Sequence, residues 1–158
     1  MFNILIICTG NICRSPMAAG MLKAALPEEL KTRIAVSSAG IQALQGHRAA
    51  DHAVETMARR GIDIKGHRAR QVTGEMIRTA DLILTMEKAQ LSQLRRLVMF
   101  GRPDTRMISE FGPLTGNPDI ADPYGGTLEE YLSCAQALEP CTQGLVHWLS
   151  EAVNCKKF

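Results

Sequence analysis

Phe2 to Ile7 is nearly all apolar and rich in isoleucine, and it leads directly into Cys8-Thr9-Gly10-Asn11-Ile12-Cys13-Arg14-Ser15-Pro16. A continuous apolar run of that length fits a strand buried on both faces, which demands a sheet covered on both sides. From Pro16 onward the pattern is helical, with Ser15 placed as an N-cap and Pro16 at the favoured first helical position. A strand that turns through a short loop into a helix N-terminus brings backbone N–H groups together where an anion can sit. Cys8 stands where the strand ends and Arg14 where the helix begins. A thiol at the floor of a phosphate cradle, with a guanidinium at its rim, points to nucleophilic attack on a phosphate ester.

The rest of the chain alternates strands and helices. Met17, Met21, Leu22, Ala25 and Leu26 give a helical stripe that Pro27 ends. Ile34 to Ser38 reads as a second strand closed by Ala39-Gly40, and Ile41 to Ala50 as a loop carrying Leu44. A helix is expected from Asp51 to Arg60, with Ala53, Val54, Met57 and Ala58 inward and Gly61 as C-cap. Ile62-Asp63-Ile64 reads as extended, Thr73 to Arg78 as a short helix capped by Thr73, and Leu82 to Met86 as a third strand. Lys88 to Val98 is amphipathic, with Leu91, Leu94, Leu97 and Val98 on one side, and Arg106-Met107-Ile108 is a weak fourth strand.

Glu110 to Gly126 is the longest irregular stretch and ends in Asp122-Pro123-Tyr124-Gly125-Gly126. A loop of that length inside a domain is usually functional or mobile. Thr127-Leu128-Glu129-Glu130 is a capping box for a last helix whose apolar stripe runs to Val153. Pro140 falls inside that stripe, which predicts a kink or break just before it. The alternation indicates an α/β fold: one domain over residues 1–158, with a parallel sheet and helices on both faces. Such sheets bind ligands at the carboxyl ends of their strands, near the reversal of strand order.

Composition narrows the function. No apolar run is long enough to cross a membrane, and the N-terminus carries no basic targeting region, so a cytoplasmic protein is expected. A net charge of +2, no basic stripe and 4% aromatic residues argue against nucleic-acid binding. Five irregularly spaced cysteines, without a Cys-x-x-Cys pair, fit reduced thiols better than a disulfide framework or a metal site. No metal or cofactor is implied.

A cysteine that ends a buried strand is by default a small core hydrophobe. Here a helix N-terminus, converging amides and Arg14 all favour the reactive thiolate. Ser15 can donate to that sulfur, in competition with its capping role. Arg14 lies where the helix dipole disfavours a cation, a placement that makes sense if a dianion sits between. Its planar fork can hold two phosphoryl oxygens at once. Gly10 allows close approach or positive φ, and Asn11 tolerates left-handed geometry. A general acid must protonate the leaving group. Asp122 is the candidate, Asp104 and Asp119 are its rivals in the same region, and a simple Asp-Pro-Tyr-Gly-Gly turn is the plain alternative.

The stretch from Cys8 to Pro16 near the N-terminus, with Asp122-Pro123-Tyr124 late in the chain, resembles the low-molecular-weight protein tyrosine phosphatase family. Ser38-Ala39-Gly40, Gly66-His67-Arg68-Ala69-Arg70-Gln71 and Leu82 to Glu87 also match, so the resemblance covers nearly the whole chain. It is greatest to bacterial members that act with capsule or exopolysaccharide tyrosine kinases. The resemblance implies a three-layer α/β/α, flavodoxin-like fold with a four-stranded parallel sheet. It implies Cys8 as nucleophile, Arg14 as phosphate clamp, Asp122 as general acid, and Thr9, Gly10, Asn11, Ile12, Cys13 and Ser15 as the rest of the phosphate loop. It further implies that Ser38 and His67 hold Asn11, and that Cys13 can form a reversible disulfide with the nucleophile. Many members carry an aromatic residue after the second strand; here Leu44 would be an aliphatic cleft wall facing Tyr124. Ala19 replaces an acidic residue common in relatives. The implied partner is a phosphotyrosine protein such as a membrane-associated bacterial tyrosine kinase, and oligomeric state stays open.

Three other readings use the same residues. An arsenate reductase on this fold needs resolving cysteines in mid-chain, and no cysteine lies between Cys13 and Cys134. Phosphoarginine phosphatases of the family tend to have threonine where this chain has Ile12. A non-catalytic phosphate-binding module would not need Cys8, Arg14 and Asp122 together.

Overall fold

The computed structural model describes residues 1–97, 103–113 and 116–154. The opening apolar run is a strand, β1 (Phe2–Cys8), and it lies inside the sheet, as a strand apolar on both sides must. Its neighbours are β2 (Ile34–Gly40) on one side and β3 (Leu82–Thr85) on the other, with β4 (Asp104–Met107) beyond β3. All pairings are parallel, and the register sets Cys8 beside Gly40 and Ile7 beside Thr85. The chain runs from β1 to β2 on one flank, then crosses to β3 on the other. The carboxyl ends of β1 and β3 therefore flank the reversal of strand order, the place where such sheets bind ligands.

Alternate residues of β1 and β3 feed two cores. Ile4, Ile6, Cys8, Leu82 and Leu84 pack under α1 (Arg14–Ala25), α3 (Asp51–Ala58) and the long C-terminal helix α6 (Leu128–Asn154). Leu5, Ile7 and Ile83 pack on the opposite face with Ile77 of α4 (Gly74–Thr79) and Leu94 of α5 (Lys88–Leu97). The expected three layers and four-stranded parallel sheet are present. Among the described residues no helix is long and apolar enough to cross a membrane.

Several local expectations need correction. Helix α1 ends at Ala25, before Pro27 as expected, but one further turn of helix that the pattern did not show, α2 (Glu28–Lys31), follows the proline. Strand β4 ends at Met107, and Ile108 opens a 3-10 turn, Ile108–Phe111, instead of continuing the strand. Ala25, Ala58 and Leu97 face solvent, while Thr56, which the apolar pattern left out, is buried. Val98, the side chain of Val153 and Cys155 lie outside the described residues. The largest correction is at Pro140, because α6 continues through it unbroken. Leu138, Cys141 and Leu145 on either side are buried in the core, so packing holds the helix where propensity would break it. The Cys141 thiol donates to the Ala137 carbonyl, and the Thr142 hydroxyl to that of Glu139 at 2.9 Å, which supplies donors near the gap in the helix ladder.

Helix α6 meets the 3-10 turn at Gly144, where a Cβ would lie 1.8 Å from the Phe111 carbonyl oxygen. Alanine usually gains about 1 kcal/mol over glycine within a helix. Here overpacking costs about 1–3 kcal/mol or more and should win. Gly144→Ala is expected to lower the urea midpoint with an unchanged m-value; an unchanged or raised midpoint would contradict this close approach.

Candidate active site

The loop between β1 and α1 closes over the Cys8 sulfur. The Asn11 backbone N–H donates to Cys8 Sγ at 3.3 Å, and Ser15 Oγ lies 2.9 Å from it. The Asn11 amide donates to Ser15 Oγ at 2.8 Å. With that lone pair occupied, the Ser15 hydroxyl proton is free to point at the sulfur, a chain in which each bond strengthens the next. Ser15 therefore serves the thiol and not the helix end. Helix α1 begins at Arg14, its N-cap is Cys13 without a side-chain cap, and Pro16 sits in the first turn, where its missing N–H costs nothing.

Asn11 is wholly buried and left-handed, with φ 57°. The bend is at Asn11 and not at Gly10, where a Cβ would meet only ordinary contacts, the nearest at 3.7 Å. The Asn11 side chain also donates to Ser38 Oγ at 3.0 Å and accepts the Arg70 backbone N–H at 2.9 Å. His67 Nε2–H donates to the Asn11 carbonyl at 2.6 Å, so the ring is the Nε2–H tautomer. Ser38 and His67 thus stand where the family resemblance implied, on the far side of the loop from the cleft.

Arg14 is only 1% exposed, which corrects the expectation of a guanidinium at the rim. A cation so deeply buried must be paired. Nη1 is bonded to the Glu87 carboxylate and donates to the Ile120 carbonyl at 2.8 Å, while Nη2 meets Asp122 Oδ2 at 3.1 Å. Nε is buried without a partner. An unsatisfied guanidinium N–H in the same small cleft as a thiol is suited to an oxyanion.

These groups line a cleft of about 150 Å3, floored by Cys8, Cys13 and Arg14, with Ile12 at its side and Asp122 across it. Leu44 and Tyr124 are its exposed apolar walls. The Leu44 loop is stitched to the phosphate loop by Ile41 N–H to the Cys8 carbonyl, Gln42 N–H to that of Thr9 and Leu44 N–H to that of Gly10. Gly40 is required here, because a Cβ would lie 2.5 Å from the Thr9 carbonyl oxygen. Of the three candidate carboxylates, Asp122 alone lines the cleft. Asp104 is turned to Arg106, and Asp119 accepts the Lys88 N–H at the start of α5.

Cys8 and Cys13 are both free thiols. Cys13 Sγ lies 3.1 Å from Tyr131 Oη on α6, and burial pushes its pKa up to about 11, so it stays protonated. Burial also pushes Cys134 up to about 12. No cluster of three or more metal-binding side chains occurs among the described residues.

Sequence reasoning quoted Glu87 and Arg70 as parts of matching segments without giving them roles. Glu87 was discoverable as an acidic residue just past the carboxyl end of a central strand. Tyr131 read only as part of an apolar stripe, and nothing in the linear pattern pairs it with Cys13.

Compared with known proteins, residues 3–156 match the family model for low molecular weight phosphotyrosine protein phosphatase. The chain belongs to that family. It is 41% identical over 147 residues to the probable low molecular weight protein-tyrosine-phosphatase EpsP of Ralstonia nicotianae, with 93% of each chain covered. Among solved structures, the tyrosine phosphatase Wzb from Escherichia coli K30 in complex with sulphate has a TM-score of 0.82 and 35% identity, covering 94% of this chain and 99% of that one. The YwlE arginine phosphatase from Geobacillus stearothermophilus has a TM-score of 0.85 and 33% identity, covering 98% and 97%.

Burial, aided by the charges of Arg70, Lys23 and Arg68 and opposed by the Asn11 carbonyl, holds His67 below its ordinary value of 6.5. The unfolded chain then binds the His67 proton more readily than the native one. This contribution is fully present above the unfolded value and is lost as pH falls through the folded one. Urea unfolding between about pH 7.5 and about pH 5.5 should show a loss of stability that is smaller in His67→Gln. Equal losses in the two proteins would contradict the role given to His67.

Proposed function

We propose that the chain is a protein tyrosine phosphatase that works through a phosphocysteine intermediate. The observation that carries this reading is the convergence of the Cys8 thiol, the unpartnered Arg14 Nε and the Asp122 carboxylate on one small cleft. A phosphate ester enters with its oxygens toward the loop amides and Arg14. Arg14 Nη2 exchanges Asp122 for a phosphoryl oxygen, which frees that carboxyl to face the leaving group. The Cys8 thiolate attacks phosphorus in line, and the acid form of Asp122 protonates the departing tyrosine oxygen. Asp122, now ionised, takes a proton from water, which attacks the phosphocysteine and releases phosphate. Positioning and charge stabilisation carry most of the barrier reduction in such a transfer.

The apolar walls Leu44 and Tyr124 suit an aromatic ring on the ester. We assign the physiological substrate to a phosphotyrosine protein, in the first place a membrane-associated bacterial tyrosine kinase controlling exopolysaccharide production. The enzyme would meet such a substrate on the cytoplasmic side of the membrane. The likeness to an arginine phosphatase structure is the specific observation behind a second reading, phosphoarginine hydrolysis. Parallel assays with phosphotyrosine and phosphoarginine peptides separate the two, and phosphotyrosine should have the higher kcat/KM.

Cys8→Ser is expected to abolish turnover while keeping phosphate affinity, and near-normal turnover would overturn the assignment of the nucleophile. Asp122→Ala should slow phosphotyrosine hydrolysis far more than hydrolysis of 4-nitrophenyl phosphate, whose leaving group needs less help. An equal loss on both substrates would remove Asp122 from the role of acid.

A further inference from the structure

Gln90 is a buried polar side chain, 3% exposed, near the start of α5, and its amide is used at both ends. Oε1 accepts the N–H groups of Met86 at 3.0 Å and Glu87 at 3.1 Å, the two residues that follow β3. Nε2–H donates to Thr9 Oγ1 at 3.1 Å, in the loop that follows β1. The last paired residues of those two strands are Ile7 and Thr85. Beyond them Gln90 continues the link, from the backbone that carries Glu87 to the loop that closes over Cys8.

We propose that Gln90 is a positioning residue for phosphoryl transfer. It holds Thr9 and the Glu87 backbone at a fixed separation, so that the phosphate loop and the carboxylate anchoring Arg14 behave as one rigid unit. Asn11 braces the loop from the β2 side, through Ser38, His67 and Arg70; Gln90 braces it from the β3 side. Capping of α5 would account for the bond from the Glu87 N–H, three residues away. It does not account for the bond to Thr9, which is 81 residues distant in sequence. A buried amide with donor and acceptor both satisfied across two elements is an expensive group to place, and it specifies one geometry.

This inference rests on the phosphatase reading, and the test keeps the two apart by measuring inorganic phosphate affinity alongside turnover of 4-nitrophenyl phosphate. The variants are Gln90→Met, Thr9→Val, their combination, and Thr9→Ser, each with its urea unfolding curve. Gln90→Met and Thr9→Val should each weaken phosphate binding and lower kcat/KM by at least about fivefold, because small misplacements at a transfer site are costly. Thr9→Ser, which keeps the hydroxyl, should lose clearly less phosphate affinity and kcat/KM than Thr9→Val, and Gln90→Met should cost less when Thr9 is already valine. Stability loss with unchanged phosphate affinity would overturn the proposal, as would strictly additive effects. If Gln90→Met does not fold, the contrast between Thr9→Val and Thr9→Ser decides, and equal behaviour of those two overturns it. Phosphate binding without turnover in the original protein would count against the phosphatase reading, while the phosphate affinities of the variants would still test Gln90.

Discussion

The site depends on one buried, left-handed asparagine. Asn11 takes part in five hydrogen bonds, to Cys8, Ser15, Ser38, His67 and Arg70. A left-handed non-glycine residue costs on the order of 1–3 kcal/mol. Buried hydrogen bonds contribute about 0.5–1.5 kcal/mol each, so five of them outweigh the bend. The bend points an N–H at the Cys8 sulfur and turns the loop back toward α1. Without it the strand end, the thiol and the arginine would still be adjacent in sequence but would not face one point.

The second constraint is the burial of Arg14. A guanidinium with 1% exposure is tolerated because Glu87, Asp122 and the Ile120 carbonyl neutralise and bond it. These partners differ in kind. Glu87 follows a central strand, and its backbone is fixed by Gln90, whereas Asp122 sits in an irregular loop with its side chain 42% exposed. A fixed anchor paired with a more exposed, exchangeable partner is what a clamp needs if it is to hold an incoming dianion and release an acid in the same event. The apolar walls Leu44 and Tyr124 then bear on what the dianion is attached to.

Much of this was legible in the sequence because it is local. The apolar run of β1, the short loop and the helical stripe behind it follow from patterning, and patterning also gave the two-faced burial of β1. The capping box at Thr127 and the cap at Thr73 lie within a turn of their partners and appear where expected. What sequence missed depends on tertiary contact. Pro140 should break a helix, yet the core on both sides of it holds α6 together. Ser15 was legible as either a cap or a donor to Cys8, and only the folded loop decides for Cys8. Thr56, Tyr131 and Gln90 are buried for partners or neighbours that lie far away in the chain. Ser38 and His67 came from family resemblance alone, since a serine in a strand and a histidine in a loop carry no mark of a shared asparagine.

The proposed mechanism requires a covalent bond between the Cys8 sulfur and phosphorus during turnover. Acid quenching of the protein within the first turnover on a phosphotyrosine peptide, followed by peptide mass mapping, tests it directly. One phosphoryl group is expected on the peptide that contains Cys8, and it should accumulate in Asp122→Ala given 4-nitrophenyl phosphate, whose leaving group departs without an acid while hydrolysis of the intermediate is slowed. Turnover that proceeds with no phosphoryl group on Cys8 at any time would contradict the account, because water would then be attacking the substrate itself.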